Sequence, residues 1–128
     1  MIIVGESSVG KTSMLRRYIK EKTEEPPLAT VGIEFFTRVV PTLNGKQMKI
    51  NFYDTAGQER FQAITVAHYR KSMGAILVYS INSLISFQRV EVWLRELEKS
   101  ADPMCSVVVV GNKADLPESE REVSTEEA

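Results

Sequence analysis

The chain has 128 residues, of which 43% are apolar and 26% charged, and its net charge is −1. This composition is typical of a globular domain that buries about two-thirds of its unfolded surface, and the near-neutral charge argues against nucleic-acid binding. Because no apolar run approaches the ~20 residues of a bilayer span and no charged-then-apolar segment opens the chain, we expect neither a membrane span nor a leader.

The first part of the chain is predicted to form a strand followed by a helix. Ile2–Val4 is a short apolar run, as in a buried strand. After Lys11 apolar residues recur at helical spacing, which predicts a first helix that continues to about Glu24 and ends before Pro26-Pro27. The loop between this strand and helix contains the first functional motif.

The later elements alternate between strands and one long helix. They are strands at Phe35–Val40 and Lys49–Asp54 around an Asn44-Gly45 hairpin turn, a strand at Ala75–Tyr79, a helix from about Ser83 to Ser100, and a strand at Val107–Val110. The last two strands are continuous apolar runs, which predicts parallel strands covered on both faces.

The alternation predicts an α/β fold built on one mostly parallel central sheet. We expect one antiparallel edge hairpin, helices on both faces and ligands at the carboxyl ends of the strands. Cys105, the single cysteine, excludes an internal disulfide and is expected to pack as a small core residue rather than act in redox chemistry. Ser124 and Glu127 have capping-box spacing, which predicts that a helix starts near the end of the sequence. The single predicted domain, residues 1–128, is therefore expected to be incomplete at its carboxyl end.

Residues 5–12 read GESSVGKT, a complete G-x-x-x-x-G-K-[ST] loop directly after the first strand. In a strand–loop–helix context this pattern turns backbone N–H groups into a cradle for phosphates. The Lys11 ammonium is suited to the β- and γ-phosphates, and the Thr12 hydroxyl to a Mg²⁺ ion that bridges them. The predicted nucleotide contacts in this stretch are Gly5, Ser7, Ser8, Val9, Gly10, Lys11, Thr12 and Ser13.

Two further motifs follow strand ends. Asp54 begins the string DTAGQE, in which the aspartate is suited to hold Mg²⁺, the Gly57 N–H to approach a γ-phosphate and Gln58 to orient an attacking water. Residues 112–115 read NKAD, and the Asp115 carboxylate can accept hydrogen bonds from N1–H and the 2-amino group of guanine. Adenine lacks those donors, and sites of this design reject the wrong ligand by about 10⁴–10⁵. The three motifs together predict binding of GTP or GDP with Mg²⁺.

The loop GESSVGKT, the string DTAGQERF and the string NKAD, in this order and spacing, resemble those of the Ras superfamily of small GTPases. The segments TVGIEF, HYR and GAILVY are similar to the Rab branch, and GESSVGKT with NKADL to its early-endosome subgroup. The resemblance spans Ile2 to Ala128 and implies a P-loop fold that lacks the last strand and helix.

The resemblance implies further roles. It makes Thr30 a Mg²⁺ ligand together with Thr12 and Asp54, gives Gln58, Lys11 and Thr30 catalytic roles, and places Lys113 over the guanine plane, with Asn112 in the same motif. It implies slow GTP hydrolysis that an activating protein accelerates. Effectors, an exchange factor and the activating protein are expected to bind through residues 25–35 and 55–70. In the family this cycle regulates vesicle trafficking, so we expect a cytoplasmic protein with endomembrane association only in a longer lipidated form.

The sequence also departs from the family. The aromatic triad that Rab effectors read corresponds to Phe35, Tyr53 and His68, and two of these positions differ from the common pattern. The S-A-K guanine loop, terminal helix and prenylated cysteine are missing, so we expect no direct membrane anchor and an uncovered sheet face that favours self-association. Ser7 replaces a glycine of Ras, as is common in Rabs, and Trp93 is expected to be structural.

Two alternatives to a GTP-hydrolysing switch remain open at this stage. The first is a truncated, non-catalytic fragment that acts only as a protein-interaction module. The second is a P-loop ATPase, which the guanine-reading carboxylate of Asp115 disfavours.

Overall fold

The computed structural model describes residues 1–19, 30–56 and 62–128, which form one five-stranded sheet with helices on both faces. The strands are β1 (Ile2–Val4), β2 (Ile33–Pro41), β3 (Gln47–Thr55), β4 (Gly74–Ser80) and β5 (Ser106–Asn112). The helices are α1 (Lys11–Ile19), α2 (Gln62–Tyr69), α3 (Leu84–Gln88) and α4 (Val90–Ser100), with a 3₁₀ turn at Glu118–Glu120. None of the helices in these ranges has the length and apolar character needed to cross a bilayer.

The order of strands in the sheet is β2-β3-β1-β4-β5. β1 pairs in parallel with β3 and β4, β4 pairs in parallel with β5, and only β2 and β3 are antiparallel. This confirms the predicted mostly parallel sheet with one antiparallel edge hairpin. Because β1, β3, β4 and β5 run in the same direction, the segments that follow them meet at one edge of the sheet.

The core lies on both faces of the sheet, because side chains alternate along each strand. On one face Ile2 and Leu77 pack with Tyr69 of α2 and Leu97 of α4. On the other face Ile3, Val9, Leu15, Phe52 and Val78 form a second cluster under α1. An open apolar cavity of about 280 Å³ lies beside this second cluster. The expected uncovered sheet face, and self-association through it, stay predictions.

The expectation that Val107–Val110 is covered on both faces is wrong for the described structure. Val107, Val108 and Val109 are 38%, 58% and 43% exposed. β5 is the edge strand and pairs only with β4, and the helices α3 and α4 contact β4. An apolar run therefore predicts the strand itself, but its burial depends on which elements lie over it.

The helix predicted over residues 83–100 is divided at Arg89 into α3 and α4. Ser83 caps its start, since its hydroxyl accepts from the N–H of Ser86 at 3.2 Å. Helical backbone hydrogen bonds continue across Arg89. The Arg89 N–H donates to the Ile85 carbonyl and the Trp93 backbone N–H donates to the Arg89 carbonyl, both at 3.1 Å. The division is thus a local turn within one nearly continuous helix.

The other helix predictions have separate outcomes. α1 is described to Ile19, and the predicted extension to Glu24 lies outside the described residues. The capping box is present, because the Ser124 N–H donates to Glu127 Oε2 at 3.0 Å and the Glu127 N–H donates to Ser124 Oγ at 3.3 Å. Only turn geometry follows Ser124.

Cys105 is partly buried against the core, as expected.

Candidate nucleotide-binding site

The loop between β1 and α1 is curled by three residues with positive φ: Gly5 at 135°, Ser8 at 64° and Gly10 at 93°. A Cβ on Gly5 would lie 2.1 Å from the carbonyl oxygen of Val78, so the loop passes too close to β4 for any side chain. A Cβ on Gly10 would lie 2.4 Å from Asn112 Nδ2. Gly5 is therefore required by its close approach to the β4 backbone as well as by its conformation, whereas at Gly10 the positive φ is the main constraint because the nearby atom is the end of a side chain.

Lys11, the first residue of α1, is folded back onto this loop. Its Nζ donates to the carbonyl oxygens of Gly5 at 2.8 Å and Glu6 at 2.6 Å, and only 5% of the residue is exposed. Burial lowers the pKa of Lys11 to about 8, although the nearby negative charges of Asp54 and Glu6 act to raise it. An anion at this position would favour the charged ammonium, which is the property that a phosphate site needs.

Three oxygen-bearing side chains meet beside Lys11. The Thr12 hydroxyl donates to Asp54 Oδ2 at 2.5 Å and lies 2.8 Å from the Thr30 hydroxyl. The other carboxylate oxygen, Asp54 Oδ1, is buried and has no hydrogen-bond partner among the residues that the structure describes. Burial is also the main cause that raises the pKa of Asp54.

These three residues fit a Mg²⁺ site. A buried carboxylate oxygen without a partner is costly to leave unsatisfied, and hydroxyl and carboxylate oxygens are the donors that Mg²⁺ takes in proteins. In the part of the chain that the structure describes, no cluster of three or more His, Cys, Asp or Glu offers another metal site. Thr12, Thr30 and Asp54 are the metal ligands that the family resemblance implies, and the fold brings them together.

The NKAD motif lies directly beside the phosphate loop. Asn112 Nδ2 donates to the carbonyl oxygen of Val9 at 2.8 Å, so one side chain joins two motifs that are 103 residues apart. Lys113 has a positive φ of 69°, which turns the chain sharply after β5. An open cavity of about 670 Å³ lies between the two motifs, lined by Gly10, Ser13, Met14, Arg17, Asn112, Lys113 and Asp115.

This cavity contains residues that sequence reasoning missed. Met14 and Arg17 line it because they lie one helical turn apart on α1, on the same face as Ser13 and Gly10. Arg17 had no motif to mark it, and Met14 was assigned only to the helix's apolar pattern. Neither has a local signal that could have shown its position in the cavity.

The remaining predicted residues are placed as follows. Ser7 and Ser8 are exposed on the loop, and Val9 is buried in the core so that only its backbone faces the site. Gly57 and Gln58 lie outside the described residues, as do residues 25–29 of the first predicted partner-binding segment. The proposed roles of Gly57 and Gln58 therefore stay predictions.

The aromatic positions named for partner binding are adjacent in the structure. The rings of Phe35 and Tyr53 have centroids 5.4 Å apart, and those of Tyr53 and His68 are 5.2 Å apart. Phe35 is 57% exposed. Rings from β2, β3 and α2 thus form one continuous aromatic surface.

Comparison with known proteins identifies the family. The Ras family model matches residues 1–128 of this chain. The chain belongs to the Ras family. Its curated relatives include Ras-related protein RABA3 of Arabidopsis thaliana, 44% identical over 100% of this chain and 54% of that protein. Ras-related protein Rab-11A of Dictyostelium discoideum is 44% identical over 100% of this chain and 59% of that protein.

A third relative of the Ras-family chain, the GTP-binding protein ypt3 of Schizosaccharomyces pombe, is 44% identical over 99% of this chain and 58% of that protein. The chain thus spans little more than half the length of these relatives. Their names agree with the predicted Rab branch and do not favour the non-catalytic alternative. They give no support to the early-endosome subgroup, which stays a prediction.

Proposed function

We propose that this chain is the guanine-nucleotide-binding part of a Rab-like molecular switch that hydrolyses GTP to GDP and regulates vesicle trafficking. The observation that carries the proposal is that the Thr12 hydroxyl lies 2.8 Å from the Thr30 hydroxyl and 2.5 Å from Asp54 Oδ2. This group lies beside the buried ammonium of Lys11. These residues come from three separate segments, and their chemistry matches one ligand, a polyphosphate with a divalent cation.

Each described residue has a defined task in this proposal. Lys11 exchanges its bonds to the Gly5 and Glu6 carbonyls for bonds to the β- and γ-phosphates. Mg²⁺, when bound, neutralises charge on the phosphate oxygens. Thr12 and Asp54 would hold the cation from α1 and β3, and Thr30 would hold it from the segment before β2. Because Thr30 belongs to residues 25–35, its contact with the cation would order that segment in the GTP state and release it after hydrolysis.

The base is read at the opposite end of the site. Asp115 is exposed on the cavity rim, where its carboxylate can accept from the donor edge of guanine. Lys113 is proposed to pack over the ring, and Asn112 holds the base motif against the phosphate loop through Val9. Guanine specificity then follows from the donor pattern, since adenine would leave the carboxylate unpaired.

Hydrolysis and partner binding complete the proposal. Gln58 is proposed to orient the attacking water and Gly57 to contact the γ-phosphate, with an activating protein that supplies further groups in trans. Effectors and an exchange factor are proposed to bind through residues 25–35 and 55–70. The aromatic surface takes Phe35 from the first segment and His68 from the second, with Tyr53 of β3 in contact with both rings. Cytoplasmic localisation, with endomembrane association only in a longer lipidated form, belongs to the same proposal.

Calorimetry with GDP and ADP tests the proposed ligand. In the presence of Mg²⁺ we expect GDP to bind with micromolar or tighter affinity and ADP at least about 10³-fold more weakly. Asp115→Ala should weaken GDP binding, whereas Glu118→Ala is a matched control, because Glu118 is exposed and outside the cavity. Folded protein that binds neither nucleotide would refute the proposal, and equal binding of ADP would favour the ATPase alternative.

A further inference from the structure

Helix α4 is tied to the phosphate loop through the side chain of Glu6. Glu6 Oε1 accepts from Trp93 Nε1 at 3.0 Å and from Arg89 Nε at 3.1 Å. These donors are 87 and 83 residues away in sequence, yet both bonds end on the same carboxylate oxygen. Glu6 is the second residue of the GESSVGKT loop, at a position where the motif accepts any residue, so the motif itself does not require this tie.

The two donors are presented by one turn of helix. Arg89 and Trp93 are four positions apart, and the backbone N–H of Trp93 donates to the Arg89 carbonyl at 3.1 Å. The two residues therefore lie on the same helical face. The Trp93 ring packs against the core cluster that contains Ile2, Leu77 and Leu97. Trp93 is therefore a fixed anchor, whereas the Arg89 side chain is 45% exposed.

The backbone of Glu6 is tied to the phosphate-binding ammonium. Lys11 Nζ donates to the Glu6 carbonyl at 2.6 Å, and the Glu6 charge also helps to raise the pKa of Lys11 against burial. Gly5 lies against the Val78 carbonyl, which blocks movement of the loop toward β4 at this point. Any change in the contacts of Lys11 is thus transmitted to Glu6, whose carboxylate is held by α4.

We infer that Glu6, Arg89 and Trp93 form a latch that positions the phosphate loop for the nucleotide and couples its occupancy to helix α4. The inference rests on the proposed function and assigns Glu6 and Trp93 as positioning residues. When the Lys11 ammonium turns from the Glu6 carbonyl to a phosphate, the Glu6 carbonyl loses its hydrogen bond from Lys11 Nζ. The latch then holds the loop in place and transmits the change to the indole of Trp93.

The fluorescence of Trp93 gives a direct test, because it is the single tryptophan of the chain. Unlabelled GDP with Mg²⁺ is titrated into the protein while emission is followed, and calorimetry is run on the same samples. We expect a saturable change in Trp93 emission with the midpoint of the calorimetric curve. Absence of GDP-binding heat would overturn the proposed function and the latch together, whereas binding heat with unchanged emission would overturn the latch alone.

The rate of GDP release separates positioning from simple stabilisation. Glu6→Ala removes both bonds and is expected to accelerate release about tenfold, because hydrogen bonds to a charged group are among the stronger ones. Glu6→Gln keeps an oxygen acceptor for Trp93 and should give an intermediate rate. Glu91→Gln is the matched control, since Glu91 pairs with Arg95 on the exposed surface of α4.

The unfolding midpoint of the nucleotide-free variants supplies the second measurement. A purely structural tie would lower this midpoint in Glu6→Ala and Glu6→Gln while GDP release stays at the unaltered rate, and that result would overturn the inference. Should Glu6→Ala fail to fold, Glu6→Gln alone decides, because its release must still be faster than that of Glu91→Gln.

Discussion

Replacement of Gly5 by alanine tests how closely the phosphate loop approaches β4. The new Cβ would lie 2.1 Å from the Val78 carbonyl oxygen, far inside the roughly 3.5 Å at which non-bonded heavy atoms pack well. Because the clashing atom belongs to the backbone, the loop or the strand must move, at a cost of about 1–3 kcal/mol. The positive φ of 135° adds about 1–2 kcal/mol of backbone strain.

The expected loss in the free energy of unfolding is therefore about 2–5 kcal/mol, a large share of the ~5–15 kcal/mol of a typical domain. Gly45→Ala is the control, because Gly45 also has a positive φ of 76° but no atom within 4 Å of its Cβ position. This variant should lose only about 1 kcal/mol. Urea unfolding of both nucleotide-free variants measures the difference, and equal losses would refute the proposed close approach.

Three further predictions concern the ligands. Asp54→Asn should weaken GDP binding in the presence of Mg²⁺ by about 10–100-fold and should change GDP binding little when a chelator removes the cation. Calorimetry measures both affinities, and equal losses under the two conditions would contradict the metal assignment. Burial lowers the pKa of Lys11 from 10.5 to about 8, so between these pH values the unfolded chain binds more protons. As the pH rises through this range, the free energy of unfolding of the nucleotide-free chain should increase by up to about 1 kcal/mol per pH unit because of this residue. Urea unfolding at pH 8 and pH 9.5 measures the increase, and Lys11→Met should remove it. Gln58→Leu should leave GDP binding intact and slow single-turnover GTP hydrolysis about 10²-fold, and an unchanged rate would exclude the assigned role of Gln58.

The fold and most of the site could be predicted because their signals are local. The G-x-x-x-x-G-K-T spacing places Lys11 and Thr12 at the start of a helix, and this placement does not depend on distant parts of the sequence. Asp54 and Asn112 each lie at the carboxyl end of a strand, and parallel strands bring their carboxyl ends to one edge. Thr30 is different, because no local pattern marked it and only the family resemblance indicated its position.

The features that escaped prediction depend on distant parts of the chain. The exposure of Val108 follows from the edge position of β5, which its own apolar sequence does not encode. The turn at Arg89 interrupts a region whose apolar period continues on both sides. The bond between Glu6 and Trp93 joins segments 87 residues apart, and neither residue type signals such a pairing.

The bond between Asn112 and Val9 has a consequence for how the molecule folds. The two ends of the site are joined only when β5 pairs with β4, which is a long-range contact, so we expect the complete binding pocket to form late in folding. A guanine nucleotide would then select completely folded molecules and leave partly folded ones unbound. Its presence during refolding should raise the yield of the native state by mass action, without a direct effect on the early steps.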